Sequence, residues 1–247
     1  MKIPKLLFKY KSLAEDSTKN YTLDILQNNR LYFSHRSQLN DPMEGCYTPI
    51  HLSYAGSSIS AMAESELSPL SAERDKYRIL SLTETCLSPQ MWAYYADSYK
   101  GICLGFYSKM FKKHLQKVIY SVGKSNIVHE PDNFSKIIES DFRHKHINWN
   151  HEREWRMISD SGEIYFPLQD GTLACIIVGY NIERENLDAI LSIVSHNIPI
   201  FKIYAGKTSF DLKLLKFDYE IEYDGKPVPF INTEKELEKY LTNNGCN

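Results

Sequence analysis

Excess positive charge is missing from this chain. Its 29 Lys and Arg stand against 31 Asp and Glu, a formal net charge of −2. No bulk basic field drives it onto nucleic acid, although a local basic groove stays open. No run of 18 apolar residues is present, which excludes a helical membrane span. The opening stretch MKIPKLLFKYKS is basic with a short apolar centre. It lacks a long apolar region and a small-residue cleavage site, so it does not read as a signal peptide. Cysteine is scarce and odd in number: Cys46, Cys86, Cys103, Cys175 and Cys246, with no C-x-x-C pair. That pattern argues against a disulfide framework or zinc knuckle and points to a reducing cytoplasm. Three of the five sit in apolar settings that read as packing. The phosphate-cradling G-x-x-x-x-G-K-[ST], the dinucleotide G-x-G-x-x-G, the zinc H-E-x-x-H and the hydrolase G-x-S-x-G are all absent.

What is present describes an ordinary soluble chain with one unusual ingredient. The 247 residues suffice for a sizeable core, and 43% apolar with 24% charged residues is typical of globular proteins. Aromatics reach 13%, chiefly through 17 tyrosines. They suit a Tyr-rich core or a ring-binding cleft. Residues 1–247 read as a single domain without repeats. A Ser-, Ala- and Glu-rich insertion around 53–76 reads as a helix or loop.

Periodicity gives a coarse element order. Strands are expected in KLLFKY, RLYFSH, RILSLTE, GICLGFY, KVIYSV, LACIIVGY and PIFKIYAGK. A strand pair is expected in EWRMIS and EIYFPL across DSGE, and two alternating strands within FDLKLLKFDYEIEY. Helices are expected in YTLDILQNN, in 89–101 with Gly101 at its C-cap, in KMFKKHLQ, in 132–147 with Asp132 as N-cap, in 181–197 and in TEKELEKYL. Strands and helices intersperse without βαβ regularity. The expectation is therefore α+β, with a central twisted sheet, mostly antiparallel or mixed, flanked by helices.

Three constellations could carry chemistry. Residues 149–156 crowd two carboxylates, two arginines and two tryptophans together. If 152–159 is extended, Glu152, Glu154 and Arg156 share one face, and Arg153, Trp155 and Met157 the other, towards the core. Carboxylates about 7 Å apart along a strand raise each other's pKa when buried, and Arg156 opposes that shift. The plain alternative is an i, i+4 pair on a solvated helix. In LNDPMEG, Asp41, Pro42 and Glu44 resemble a capping-box helix start, or else Asn40 and Asp41 project into a cleft. In MWAYYADSYKG, a helix would set Met91, Tyr94, Tyr95 and Ser98 along one stripe and Trp92, Tyr95 and Tyr99 along a neighbouring one, an aromatic surface that reads as core or as a stacking wall for a flat ring. His144, His146 and His151 beside Glu152 match no metal-site spacing. A Cys86 thiol nucleophile has no further support.

Taken in chain order, the three constellations resemble a bacterial family catalogued as domain of unknown function 2971. The resemblance rests on Tyr10, NDPME at 40–44, MWAYYADSYKGICLGF at 91–106 and WNHEREWR at 149–156. The family name implies no activity. The strand–helix–strand start, the aromatic helix and the late E-x-E are also similar to the layout of mono-ADP-ribosyltransferases, which split NAD at its nicotinamide bond. That resemblance implies an ADP-ribosyltransferase-like fold. It also implies that Glu154 stabilises the oxocarbenium-like transition state while Glu152 aids the acceptor. The early strand offers Lys9 and Tyr10 where that family carries His or Arg, and SLTE at 81–84 is a loose match to its middle strand.

The expectation that follows is a cytoplasmic bacterial enzyme acting on NAD or a nucleotide, a toxin or phage-defence effector. Glu154, Glu152 and Arg156 would be catalytic, and Tyr10, Asn40, Asp41, Trp92 and Tyr95 would bind ligand. NAD would be substrate, a protein or nucleic acid the acceptor, and neither a metal nor a membrane is implied. The sequence leaves the oligomeric state open. Two other classes fit the same residues. One is a non-catalytic nucleotide or nucleic-acid sensor. The other is a nuclease-like effector with Asp41, Glu152 and Glu154 around Mg²⁺.

Overall fold

A computed structural model describes residues 2–45, 50–52, 59–61, 70–123, 134–206, 209–217 and 230–244. Asp132, Cys46, Cys246, most of the 53–76 insertion and the second strand expected within 210–223 lie outside the described residues. Of the insertion, 59–61 is strand and 70–74 is helical.

An eight-stranded sheet organises the chain. In chain order its strands are β1 (Leu6–Lys11), β5 (Arg78–Thr83), β6 (Ile102–Tyr107), β7 (Leu115–Lys117), β10 (Glu154–Ser159), β12 (Leu173–Val178), β13 (Ile200–Ala205) and β14 (Leu212–Lys216). Their spatial order is β14-β13-β12-β6-β1-β5-β10-β7. Every pairing in it is antiparallel except β12 with β13. Smaller two-stranded pairs join β2 (Arg30–Tyr32) to β11 (Tyr165–Pro167), β3 (Ile50–Leu52) to β4 (Ile59–Ala61), and β8 (Ile119–Ser121) to β9 (His144–His146). This is the expected α+β architecture with a mostly antiparallel sheet.

Both faces of the sheet are apolar because helices cover both. On one face Phe8, Tyr10, Cys103, Cys175 and Ile177 pack on Met91 and Trp92 of α2 (Pro89–Tyr95). The same face packs on Leu237 and Leu241 of α5 (Glu234–Asn243). On the other, Leu80, Leu82, Leu104, Trp155 and Met157 pack with Ile25 of α1 (Asp16–Asn28) and with Leu187 and Ile190 of α4 (Arg184–Ile193). A satellite cluster sets Tyr77 and Ile79 against Ile137, Ile138 and Phe142, at and just beyond α3 (Phe134–Asp141). Alternation along each strand assigns these side chains to opposite faces. No helix among the described residues is long and apolar enough to cross a membrane.

Four local expectations are corrected. The aromatic helix stops at Tyr95, not at 100. Asp97, Ser98 and Tyr99 all take positive φ (46°, 49° and 70°), unwinding the chain before Gly101. The turn is held from outside, since Asn181 N–H donates to the Tyr99 carbonyl at 3.0 Å. KMFKKHLQ is a 3-10 turn at Ser108–Met110 followed by β7, so its expected α-helix does not form. The helix expected over 132–147 ends at Asp141, and His144–His146 pairs as a strand with β8. EIYFPL does not hairpin with EWRMIS: β11 pairs with β2, and β10 takes β5 and β7 as neighbours. Long-range pairing decided each of these against local propensity.

The 97–99 turn packs closely beneath Gly179, where an added Cβ would lie 1.9 Å from the Tyr99 carbonyl oxygen. Gly179→Ala is therefore expected to destabilise the fold by about 1–3 kcal/mol through forced backbone displacement. A urea midpoint unchanged from wild type would contradict this packing.

Candidate functional site

The sheet opens where β1 and β5 part. These strands pair at a single register, Phe8 with Thr83. Beyond it, β5 bonds Ser34 at Ile79 instead of β1. Into the gap open residues of β1, β5 and β10, the 34–40 segment and the end of α2. They enclose a cavity of about 390 Å³, a size that suits a small ligand. Its walls include Lys9, Tyr10, Asn40, Ser81, Thr83, Tyr95, Lys145, Glu152, Glu154 and Arg156.

Glu152 reaches this cavity by a route the pleat would not give. Ile147–Glu152 is a 3-10 helix, and the strand begins only at Glu154. Arg153 between them is left-handed, φ 47°. That residue turns its own side chain outward to Glu84 at 3.2 Å. The expectation that 152–159 is one extended segment is therefore corrected, and so is the core-facing place given to Arg153. The convergence of Glu152, Glu154 and Arg156 is nonetheless found. Trp155 and Met157 enter the core as expected, 2% and 4% exposed. Thr83 Oγ1 donates to the Glu152 carbonyl at 2.5 Å and ties the bend to β5.

The carboxylates lie in a buried ionic cluster. Arg156 donates to both oxygens of Glu154, Nε to Oε1 at 2.7 Å and Nη2 to Oε2 at 2.8 Å. It also pairs with Glu44 and donates to the Phe142 carbonyl at 2.7 Å. Lys145 contacts Glu152 at 2.6 Å, Glu44 at 2.8 Å and Glu154 at 3.8 Å. Its ammonium also stands 4.8 Å from the Trp149 ring centroid. Glu44, Lys145, Glu152, Glu154 and Arg156 are all buried. Three carboxylates face two cations, so the fully ionised cluster carries one surplus negative charge. At the cavity face, Tyr95 O–H donates to Glu152 Oε1 and accepts from the Asn40 amide. Asn40 also lies 3.5 Å from that carboxylate oxygen.

The surplus charge separates the two acids. Burial pushes Glu152 up, and the charge of Glu154 adds to that, against the pull of Lys145. Burial acts on Glu154 in the same sense, but Arg156 and then Lys145 outweigh it and hold the carboxyl below its usual range. Burial also lowers Lys145, and the three carboxylates together more than reverse this. Such divergence is an arrangement in which one carboxyl can exchange a proton while its neighbour stays ionised.

Two residues expected to bind ligand lie off this cavity. Trp92 is fully buried, with Nε1 donating to the Cys86 carbonyl at 2.8 Å and its ring stacked on Tyr99 at 5.9 Å. It supports Tyr10 edge-on at 5.2 Å but does not line the cavity. Asp41 does not line it either. Its Oδ1 accepts from Met43 N–H at 2.9 Å, forming a turn that delivers Glu44 to the cluster. Residues 42–45 are therefore a turn and not a helix start. Asp41 does not join Glu152 and Glu154 at the cavity, and no group of three or more His, Cys, Asp or Glu among the described residues is placed to hold a metal ion. The Cys86 thiol is fully buried and burial raises its pKa, which suits packing and not nucleophilic attack.

Sequence reasoning missed Lys145 and read Glu44 as part of a helix cap. Lys145 sits in HKH, inside the segment whose periodicity predicts a helix, and nothing local marks it. Glu44 within NDPME carried the only signal available, an acidic residue in a family-like motif.

No curated protein and no solved structure matches the chain. Residues 91–157, which take in most of α2, Lys145 and the Glu152–Arg156 segment, match the model of a family described as protein of unknown function (DUF2971).

Proposed function

We propose that the protein is an enzyme acting on NAD or a related nucleotide at its glycosidic bond, with Glu152 and Glu154 as the working pair. One observation carries this reading: two buried carboxyls with opposite pKa shifts, at the wall of one cavity, in a cluster with surplus negative charge. A negative cluster favours a positively charged ring and the oxocarbenium-like centre formed as its C1′–N bond breaks. The bonding pair leaves with the nitrogen. Glu154, held ionised by Arg156, would stabilise the cation. Glu152 would take the proton of the attacking water or acceptor hydroxyl, a role its raised pKa fits. Tyr95 and Asn40 would hold Glu152 in place, and Tyr10 would line the ligand. The acceptor in this proposal is water, a protein or a nucleic acid.

Glu152→Gln tests this best, because it removes the surplus charge and spares the Arg156 pairing. The variant is expected to fold and to lose about 10²–10⁴-fold of NAD consumption, measured by chromatography of the products. Full turnover in folded Glu152→Gln and Glu154→Gln proteins would overturn it. A second reading, a nucleotide sensor without turnover, draws on the full set of partners that Glu154 already has. Saturable NAD binding with no product would favour the sensor.

A further inference from the structure

The cations around the cavity differ in one respect. Lys145 is matched by three carboxylates and Arg156 by two. Lys9 has no ion pair among the described residues. It comes from β1 at the point where the strand parts from β5, and its Nζ donates to the Ser81 carbonyl at 3.0 Å. An ammonium has three protons to donate. Lys9 is half-buried, and a ligand that brings a counter-ion to a partly desolvated cation offsets part of its desolvation cost.

We propose that Lys9 is the anion-binding group of the cavity and takes a phosphoryl group of the ligand. The choice of phosphoryl over another anion rests on the nucleotide reading above; the anion-binding role itself rests on the unmatched cation. A compact ammonium is a common phosphate partner. Lys9 stands on the cavity wall with Glu152 and Glu154. Phosphate at Lys9 and the scissile bond at the carboxylates would give the ligand two fixed points.

The inference has a pH signature. Burial first, then the charge of Lys11, lowers Lys9 to about 7, while Glu154 pulls it back up. An anion bound there draws a proton onto the amine, so affinity should fall as pH rises from 6 to 8. The groups that act on Lys9 are Lys11 on β1, the Ser81 carbonyl on β5 and Glu154 on β10, with Arg156 also on the cavity wall. Lys145, Glu152 and Tyr95 share the cavity. Ionisation of Glu152 would change affinity in the same direction, so a variant must separate the two.

The experiment is calorimetric titration with inorganic pyrophosphate, adenosine and adenosine monophosphate, on wild type, Lys9→Met and Lys9→Arg. Wild type should bind pyrophosphate and prefer the monophosphate to adenosine by about tenfold or more, the scale of one charge-assisted contact. Lys9→Met should lose both effects while adenosine binding is kept. Lys9→Arg should restore anion binding with a weaker pH dependence between 6 and 8, because a guanidinium does not titrate there. Unaltered pyrophosphate binding in folded Lys9→Met, or none in wild type, overturns the inference. Lys9-dependent pyrophosphate binding without NAD turnover or nucleoside binding would sustain it while overturning the proposed enzyme.

Discussion

Replacing Arg156 by methionine is expected to lower the unfolding free energy by about 3–5 kcal/mol at neutral pH, the usual penalty for orphaning a buried charge partner. Arg156 is 1% exposed and joins Glu44, Glu154 and the Phe142 carbonyl. Its removal leaves three buried carboxylates with Lys145 alone. The pH dependence has a definite sign. In the wild type, Glu154 has a depressed folded pKa, so its contribution is present above its ordinary value of 4.5 and is lost as pH falls through the folded value. Without the guanidinium, burial dominates and the folded pKa rises. Stability is then full below 4.5 and is lost as pH rises through the new value. The deficit of Arg156→Met should therefore be largest near pH 7 and narrow towards pH 4. Adding Glu154→Gln to Arg156→Met should recover part of the loss, because the two residues share one interaction. Urea melts at both pH values check this. A deficit below 1 kcal/mol, or one equal at the two pH values, would mean the cluster is solvated and would remove the basis for the divergent carboxyls.

Trp92→Ala is expected to cost about 3–5 kcal/mol, as for other large-to-small changes at buried aromatic positions. The indole is fully buried between Tyr10 and Tyr99, and its N–H satisfies the Cys86 carbonyl. The milder Trp92→Phe keeps the ring but unpairs that carbonyl, for about 1–3 kcal/mol. Ligand affinity separates core from site. Folded Trp92→Phe should bind nucleotide within about twofold of wild type, well under the tenfold that 1.4 kcal/mol of lost contact gives. A tenfold loss of affinity with little loss of stability would return Trp92 to the cavity wall.

Much of the site was legible because the family-like motifs coincide with it. Tyr10, Asn40, Tyr95, Glu152, Glu154 and Arg156 all reach one cavity from segments far apart in the chain. Trp92 and Asp41 lie off the cavity for a common reason. A tryptophan on a helix and an aspartate before a proline each have a complete structural use, in packing and in a turn. Composition cannot tell that use from a ligand contact.

By itself the sequence determined the α+β class, most of the strands, and the meeting of an acidic pair with an arginine. Those follow from residue periodicity and from motif content, which are local. The tertiary structure alone decided four things: the early unwinding of α2, the left-handed Arg153 that turns Glu152 into the cavity, the arrival of Lys145 and Glu44, and the unmatched charge of Lys9. Each depends on which strands pair and where β1 leaves β5. The free energy of those contacts is set by burial and charge partners brought from distant parts of the chain, and no local window contains them.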